Sequence, residues 1–502
     1  MTAAIATPHP LATAAGQKVL DAGGTAPEAV IAAGAVLTVV MPHFCGLGGD
    51  AVWTLSDRNG DSRCLLAIGQ GIQRDRPSGP VPFRGPASIL TTAAVVDGWA
   101  EALDYAHVHL GGRASWQSLL APAFALAWDG FAVTSSQGYW TDFRAPEIAD
   151  WPGFDGLFLQ NGASLPVGHL LQQPDLACVF AKLIDNGPRD FYEGAVAARI
   201  IAGLQETGAI IGADDLRQTR SRWAAPVSLG YRGHTLLSSP PPTQGLTTLQ
   251  IMGILAQFDL ADIAPSSAAH FHLCVEAVKR AFEDRGRIAD GAAVDDLLAP
   301  DHLGARAADI STQQAMAWPH PWQHGDTVFL GAIDAMGNAA SVLQSTFYDW
   351  GSGVVVPGTG IIWQNRGAAF SFQPGHPNMF RPGKLPFYTL NPGIALDDAG
   401  RPAFVYGTQG ADGQPQTLAM LLSLLLDYGL PPDQALAAPR FLLGRTFSDQ
   451  RDSLKVEGHA GDAVIAQLKT LGHQVSAIAP LSPLAGQAGV ISPTLGGHHD
   501  PR

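Results

Sequence analysis

The stretch Gly325-Asp326-Thr327-Val328-Phe329-Leu330-Gly331-Ala332-Ile333-Asp334-Ala335-Met336-Gly337-Asn338-Ala339-Ala340-Ser341-Val342-Leu343-Gln344-Ser345 separates two styles of sequence. Two strand-forming runs, Thr327 to Ile333 and Ala339 to Ser345, bracket the turn Asp334-Ala335-Met336-Gly337-Asn338, which is the pattern of a β-hairpin. Upstream, between Leu303 and Asp326, periodicity disappears. Within that span Trp318-Pro319-His320-Pro321-Trp322 cannot continue a helix, because each proline lacks a donor and restricts its predecessor. The segment reads as a loop. A threonine that opens a strand just after it is either ordinary strand material, since β-branched residues favour strands, or a hydroxyl placed at a junction. Spacing alone leaves both readings open.

Outward from this junction the first half reads as mostly helical. Leu11 to Leu20 and Ala29 to Val40 have broad apolar faces, and Gly23-Gly24 ends the first as C-terminal glycines do. A hairpin follows, Ala51 to Ser56 and Cys64 to Ile68 around Asp57-Arg58-Asn59-Gly60. Helices are expected at Trp99 to Tyr105, Trp116 to Trp128, Leu176 to Ile184 and Ala268 to Arg285, the last from apolar residues at helical spacing. In the second half strands are expected at Gly360 to Trp363, Gly393 to Leu396, Ala403 to Tyr406, Gln474 to Ile478 and Gly489 to Ile491. Helices at Gln414 to Asp427 and Asp462 to Leu471 fall between them. Such a mixture fits one layered α/β core shared by both halves.

Of the 502 residues, 46% are hydrophobic and 15% charged, a balance that supports a large core and excludes disorder. The net charge is −14 with no basic run, which argues against nucleic acid, because backbone binding needs clustered Lys and Arg. Cys45, Cys64, Cys178 and Cys274 are scattered, so reduced and mostly buried thiols are expected rather than a disulfide framework. His498-His499-Asp500 reads as a solvated tail rather than a metal site. The longest apolar stretch, Ala29 to Met41, is too short to span a bilayer and Met1 to Leu11 lacks a signal-peptide layout, so a cytoplasmic protein without membrane contact is expected. There is no G-x-S-x-G elbow, phosphate loop or H-E-x-x-H.

Several tracts together resemble the γ-glutamyltransferase family of N-terminal nucleophile hydrolases. They are Gly325-Asp326-Thr327 with Asp334 and Gly337-Asn338-Ala339; Gly351-Ser352-Gly353 through Gly360; Pro8-His9-Pro10-Leu11-Ala12; Pro42-His43 with Gly46-Leu47-Gly48-Gly49; and Ser239-Pro240-Pro241-Pro242-Thr243-Gln244-Gly245. They occur in the family's order from about residue 6 to residue 492. The resemblance implies a four-layer αββα sandwich assembled from both halves of a self-cleaved precursor. It places the scissile bond at Asp326–Thr327, giving a large subunit 1–326 and a small subunit 327–502 that begins with the nucleophile. It makes Thr327 both nucleophile and, through its freed α-amine, base. By the same resemblance Gly410 and Ala411, in Gly407-Thr408-Gln409-Gly410-Ala411, form the oxyanion hole or else a plain turn. Ser345 orients the nucleophile or is an ordinary strand serine.

Where the sequence departs from the family, the substrate should depart too. At the position of the family's carboxylate-binding arginine stands Gly69; at its amine-binding acid, Ala369; at a nearby asparagine, Phe347; and at its paired serines, Tyr388 and Thr389. A glutamyl ammonium or carboxylate would there lack a charged partner. Arg366 is gained, either as a carboxylate anchor or in a structural salt bridge. The expectation is an amide carrying a carboxylate but no α-amine, with Arg366, Tyr388, Thr389 and Phe347 binding it. The tracts Gly46 to Trp53, Pro240 to Leu246 and Gly413 to Thr417 look most like oxamate amidohydrolases within the branch that also holds cephalosporin acylases. Oxamate hydrolysis to oxalate and ammonia is therefore the first expectation. A γ-glutamyl hydrolase or transferase, a cephalosporin-type acylase and an unprocessed non-catalytic relative are the alternatives. No metal or organic cofactor is expected, the partners are the substrate and the two fragments of one precursor, and a dimer of processed heterodimers is left open.

Overall fold

The hairpin quoted first sets the layering of the whole molecule. Along Asp326–Ile333 and Ala339–Phe347, Val328, Leu330, Ala332, Ala340 and Val342 join one buried cluster, whereas Phe329, Ile333, Ala339 and Leu343 join another. Successive side chains on a strand point to opposite faces, so this sheet is buried on both sides. The computed structural model describes residues 2–75, 81–148, 150–318, 326–446 and 449–502.

Twelve strands build two sheets. In chain order they are β1 (Ala4–Ala6), β2 (Asp50–Ser56), β3 (Ser62–Ala67), β4 (Arg222–Ala224), β5 (Val227–Tyr231), β6 (His234–Ser238), β7 (Asp326–Ile333), β8 (Ala339–Phe347), β9 (Gly393–Leu396), β10 (Pro402–Thr408), β11 (Ala488–Ser492) and β12 (Gly496–His499). One sheet has the order β1-β7-β8-β2-β3-β4 and the other β12-β11-β10-β9-β6-β5, antiparallel throughout. Each sheet takes strands from both sides of Thr327, and neither half alone completes one. Between the sheets lies a core that includes Val52, Leu237, Phe329, Leu343, Val405 and Ile491.

Helices cover both outer faces. On the first sheet lie α1 (Pro10–Asp21), α2 (Ala26–Val40) and α3 (Val95–Tyr105). On the second lie α4 (Gly245–Leu255), α5 (Ala268–Asp284) and α6 (Gln414–Leu426). The result is the four-layer αββα sandwich that the resemblance implies. Helix α2 is buried along its entire length, which explains why it is apolar all round. Its start is fixed by a capping box between Thr25 and Glu28 and by the Ala26 N–H, which donates to Asp334 Oδ2 in the hairpin turn (3.1 Å). The same carboxylate accepts from the Met336 and Asn338 N–H groups, so one aspartate closes the turn and docks a helix on it.

Two expectations need correction. The loop expected from Leu303 contains a helix, Pro300–Ala308, started by proline at its first turn and buried through Leu303 and Ala307. Of the remainder, Ser311 to Trp318 is not helical, and the Pro319-His320-Pro321-Trp322 run lies outside the described residues. The tail His498-His499-Asp500 is not solvated: the histidines end edge strand β12, and Asp500 is buried in ion pairs with Arg440 (2.5 Å) and Arg502 (2.9 Å). A single-sequence reading misses this because the partners lie far away in sequence or at the very end. Among the cysteines Cys45, Cys64 and Cys274 are buried as expected, but Cys178 is exposed.

Phe329 reaches across the sandwich onto Gly407 and Gly489, where a Cβ would lie 2.2 and 2.4 Å from its ring. The two glycines make the space that the ring fills. Phe329→Ala should therefore destabilise the protein by about 3–5 kcal/mol, measured as a lowered denaturant midpoint with little change in slope.

Candidate active site

Strand β7 begins with an irregularity. Asp326 pairs with Phe347 and Val328 with Gln344, so Ser345 and Thr346 both face the single Thr327. This is a β-bulge, a device that re-aims a side chain and is over-represented beside active sites. Thr327 has the same parity as Phe329, Ser345 the same as Leu343, and Asp50, paired with Ser345, the same as Val52. All three therefore belong to the inner face of the sheet, at one end of the sandwich. Thr327 and Ser345 are buried, and Gln414 Nε2 donates to Thr327 Oγ at 3.3 Å. Gln414 is the first residue of α6. The Asp326 backbone lies in β7.

Strand β10 leads into this end of the sandwich and then turns into α6 through Gly410 and Ala411. Gly410 has φ +115° and Ala411 φ +46°. The first conformation calls for glycine; the second is left-handed for an alanine and costs of order 1–3 kcal/mol, a strain that gathers at functional sites. Neither N–H has an acceptor among the described residues. The Ala411 carbonyl accepts from Gln244 Nε2 (2.6 Å), which also donates to the Thr389 carbonyl. Gln244 thereby ties the turn to the segment carrying Tyr388. On the far side of the turn, Asp412 is held by Arg285, whose guanidinium lies over Phe282 and Phe387.

The third component is a stack. The Arg366 guanidinium lies between the rings of Phe347 (3.9 Å) and Tyr388 (4.1 Å), and all three side chains are buried. Phe347 takes φ +83°, and its N–H donates to Ser345 Oγ at 2.8 Å. The serine thus holds the strained residue whose ring covers the arginine. Arg366 Nε and Nη1 lack hydrogen-bond partners among the described residues. Burial lowers its pKa from the ordinary value, although an arginine keeps its proton.

Beneath the stack sits Asp50. Its Oδ1 accepts from the Gly69 (2.8 Å) and Ala94 (2.9 Å) N–H groups, and its Oδ2 accepts from the Tyr388 hydroxyl. Burial pushes its carboxyl up to about 6, against the pull of those hydrogen bonds. Gly69, where the family's arginine was expected, has no room for any side chain: a Cβ there would lie 1.9 Å from the Thr92 carbonyl oxygen.

Of the residues singled out in the sequence, Thr327, Ser345, Phe347, Arg366 and Tyr388 meet directly or through one neighbour. Gly410, Ala411 and Thr389 join them through Gln414 and Gln244. Asp50, Gln244 and Gln414 were not assigned roles, although each lies in a tract noted above. An aspartate between Gly48-Gly49 and the apolar strand Ala51-Val52-Trp53 was the available signal. Away from this cluster, His272, Glu276 and His473 bring possible metal-ligand atoms within 4.8 Å of one another. Those atoms are already engaged: the two imidazoles meet at 2.8 Å, His272 Nε2 lies 2.7 Å from the Ser311 carbonyl, and Glu276 pairs with Lys279 at 2.7 Å. An ammonium against the carboxylate opposes a cation there.

Residues 12–502 match the family model described as Gamma-glutamyltranspeptidase. The oxamate amidohydrolase proenzyme of Klebsiella pneumoniae is 40% identical, covering 99% of this chain and 96% of that protein. A glutathione hydrolase-like proenzyme of Bacillus subtilis is 36% identical over 97% of this chain and 94% of its own length. The crystal structure of a cephalosporin acylase from Bacillus halodurans superposes with a TM-score of 0.89 at 29% identity, covering 100% of this chain and 95% of that one. No helix among the described residues is long and apolar enough to cross a membrane.

The crowding at Gly69 is directly testable. Gly69→Ala forces a methyl group into the Thr92 carbonyl and should cost about 3 kcal/mol or more, seen as a lowered melting temperature.

Proposed function

Because this chain belongs to the gamma-glutamyltranspeptidase family of amide-hydrolysing enzymes, we propose that it matures by cutting its own Asp326–Thr327 bond and then hydrolyses a small carboxylate-bearing amide, with oxamate the first candidate. The observation that carries the substrate reading is Arg366: a buried guanidinium, flat between two rings, with two nitrogens lacking partners among the described residues. A buried cation in that state is costly until an anion arrives, and a carboxylate matches its planar fork. The proenzyme names of the oxamate and glutathione hydrolase-like relatives support self-processing here.

In maturation the Thr327 Oγ attacks the Asp326 carbonyl, an ester replaces the peptide bond, and water releases residues 1–326 from 327–502. Thr327 then carries a free α-amine with an ordinary pKa of ~7.7–8, so a useful fraction is neutral and basic near neutral pH. The amine takes the Oγ proton as the hydroxyl attacks the substrate amide. The Gly410 and Ala411 N–H groups, which have no other acceptor among the described residues, receive the oxyanion. Gln414 orients the hydroxyl. Collapse expels ammonia, which takes up the proton, and water hydrolyses the Thr327 ester to release the acid. With the substrate carboxylate on Arg366, the adjoining carbonyl of an oxamate-sized molecule is the one presented to Thr327. Tyr388, Thr389 and Phe347 line the anchoring side, and the absence of space at Gly69 removes the carboxylate partner a γ-glutamyl group would need.

Expressed protein should run as two fragments on a denaturing gel, the smaller beginning Thr-Val-Phe-Leu, and Thr327→Ala should remain one chain without turnover. Intact, fully active wild-type protein would sink the maturation scheme. Processed enzyme should release ammonia from oxamate and leave a γ-glutamyl anilide untouched; the reverse result assigns it to the γ-glutamyl hydrolases, and turnover of a cephalosporin side chain alone to the acylases. Arg366→Met should raise KM for oxamate by roughly 10–100-fold, the loss of a charge-assisted contact, with a smaller change in kcat.

A further inference from the structure

Asp50 and Arg366 are two buried opposite charges that share one neighbour. The Tyr388 hydroxyl donates to Asp50 Oδ2, while its ring lies 4.1 Å from the guanidinium carbon of Arg366. Both side chains and the tyrosine between them are at most 1% exposed, so little water screens them from one another. The site therefore holds one cation and one anion. A substrate carboxylate brought to Arg366 is a second anion competing for the same cation.

We propose that Asp50 is a positioning and specificity-determining residue of this site: when a substrate carboxylate binds at Arg366, the Asp50 carboxylate takes up one proton from solvent, so the pocket accepts a single negative charge and disfavours a second. The inference rests on the reading of Arg366 as the carboxylate anchor. It deepens that reading by naming the charge state the site selects.

The geometry fixes where the proton goes. Oδ1 already accepts two backbone N–H groups, from Gly69 and Ala94, and neither can turn away. The proton therefore sits on Oδ2 and donates to the Tyr388 oxygen, reversing the existing bond while leaving the heavy atoms in place. Two carboxylates around one cation cannot both stay ionised cheaply, and the one that titrates more readily takes the proton. A carboxylate next to an electron-withdrawing carbonyl is a weak base. Asp50 is already raised to about 6 by burial, so a neighbouring anion carries it through neutrality. The other groups that face or influence Asp50 are few. The Gln364 side chain favours its charged form, Arg366 attracts it, and the Tyr192 phenol lies within electrostatic reach from the helical layer, itself beside Asp97 and Arg189.

The sign follows from linkage. Asp50 binds its proton more tightly in the complex than in the free enzyme. Below about 6 it is protonated in both states and binding is strongest. Above that value each pH unit should weaken carboxylate binding by up to about tenfold, until the carboxyl of the complex also ionises.

Calorimetry with processed enzyme tests this, using pyruvate as an unreactive probe of oxamate's size. Titrations at pH 7.5 in phosphate and in Tris, whose ionisation enthalpies differ, count the protons taken up. Wild type should take up roughly one more proton per pyruvate than Asp50→Asn. Its Kd should rise about tenfold from pH 6.5 to 7.5, while that of Asp50→Asn stays nearly flat over the same range. Any uptake by the Thr327 α-amine remains in the variant and cancels in the difference. Tyr388→Phe keeps the stacked ring but removes the hydrogen bond that holds the Asp50 pKa down, so the onset of weakening should move to higher pH. This second variant decides the matter if the first does not fold. Equal proton uptake in wild type and Asp50→Asn, or an unmoved onset in Tyr388→Phe, overturns the inference alone. Failure of wild type to bind pyruvate at any pH overturns the carboxylate anchor and the inference with it.

Discussion

Everything in this molecule depends on one strand-pairing constraint: β7, which begins at the Asp326–Thr327 junction, is an interior strand. It lies between β1 and β8, with β2 beyond, and both of its faces are buried. Its partner β1 and the neighbouring β2 come from the other side of the junction. A break in the chain before Thr327 would therefore not separate the halves, because ladder hydrogen bonds and both hydrophobic layers still cross it. The same pairing puts the bulge at Thr327, since the register shift falls between Asp326 and Val328. A threonine at an exposed hairpin tip would have neither the burial nor the fixed neighbours.

Charge placement is the second level of organisation. The site is built around a cation rather than around a matched pair of charges, and the cation is held by rings instead of carboxylates. Phe347 and Tyr388 keep Arg366 flat without neutralising it. The nearest buried acid, Asp50, is engaged by two backbone donors and a phenol rather than by the guanidinium. The aromatic rings orient the arginine while its Nε and Nη1 stay without hydrogen-bond partners among the described residues.

Much of this fold was legible in the sequence because its signals are local. The hairpins at 327–345 and 51–68, the largely apolar α2 and the amphipathic α5 appear where period and turn chemistry put them, with boundaries shifted by up to three residues. The edge strand at Gly496–His499 was not legible. Its sequence is polar and glycine-rich, and only the buried Arg440–Asp500–Arg502 network, joining residues up to 62 positions apart, reveals it. The site divides along the same line. Residues on the 326–347 hairpin and in family-like tracts could be named. Asp50, Gln244 and Gln414 could not be given roles, because each acts through a contact more than 80 positions away: Asp50 with Tyr388, Gln244 with Ala411, Gln414 with Thr327.

The distribution of backbone strain argues for the same location independently of any side-chain chemistry. Few non-glycine residues adopt left-handed angles in the described structure, and Phe347, Trp350 and Ala411 are three of them. Each such residue costs of order 1–3 kcal/mol, and each here is fully buried, where no solvent contact offsets the cost. The others, such as Asn161, Arg232 and Ser266, lie in turns and loops between elements. A fold selected for stability alone would place glycine at 347 and 411. What the strained residues provide instead is positional: at 347 a ring against Arg366, and at 411 an N–H that has no acceptor among the described residues. Strain, backbone donors without acceptors and a cation with two nitrogens lacking hydrogen-bond partners among the described residues thus converge on one end of the two sheets, which argues for a site there rather than an accident of packing.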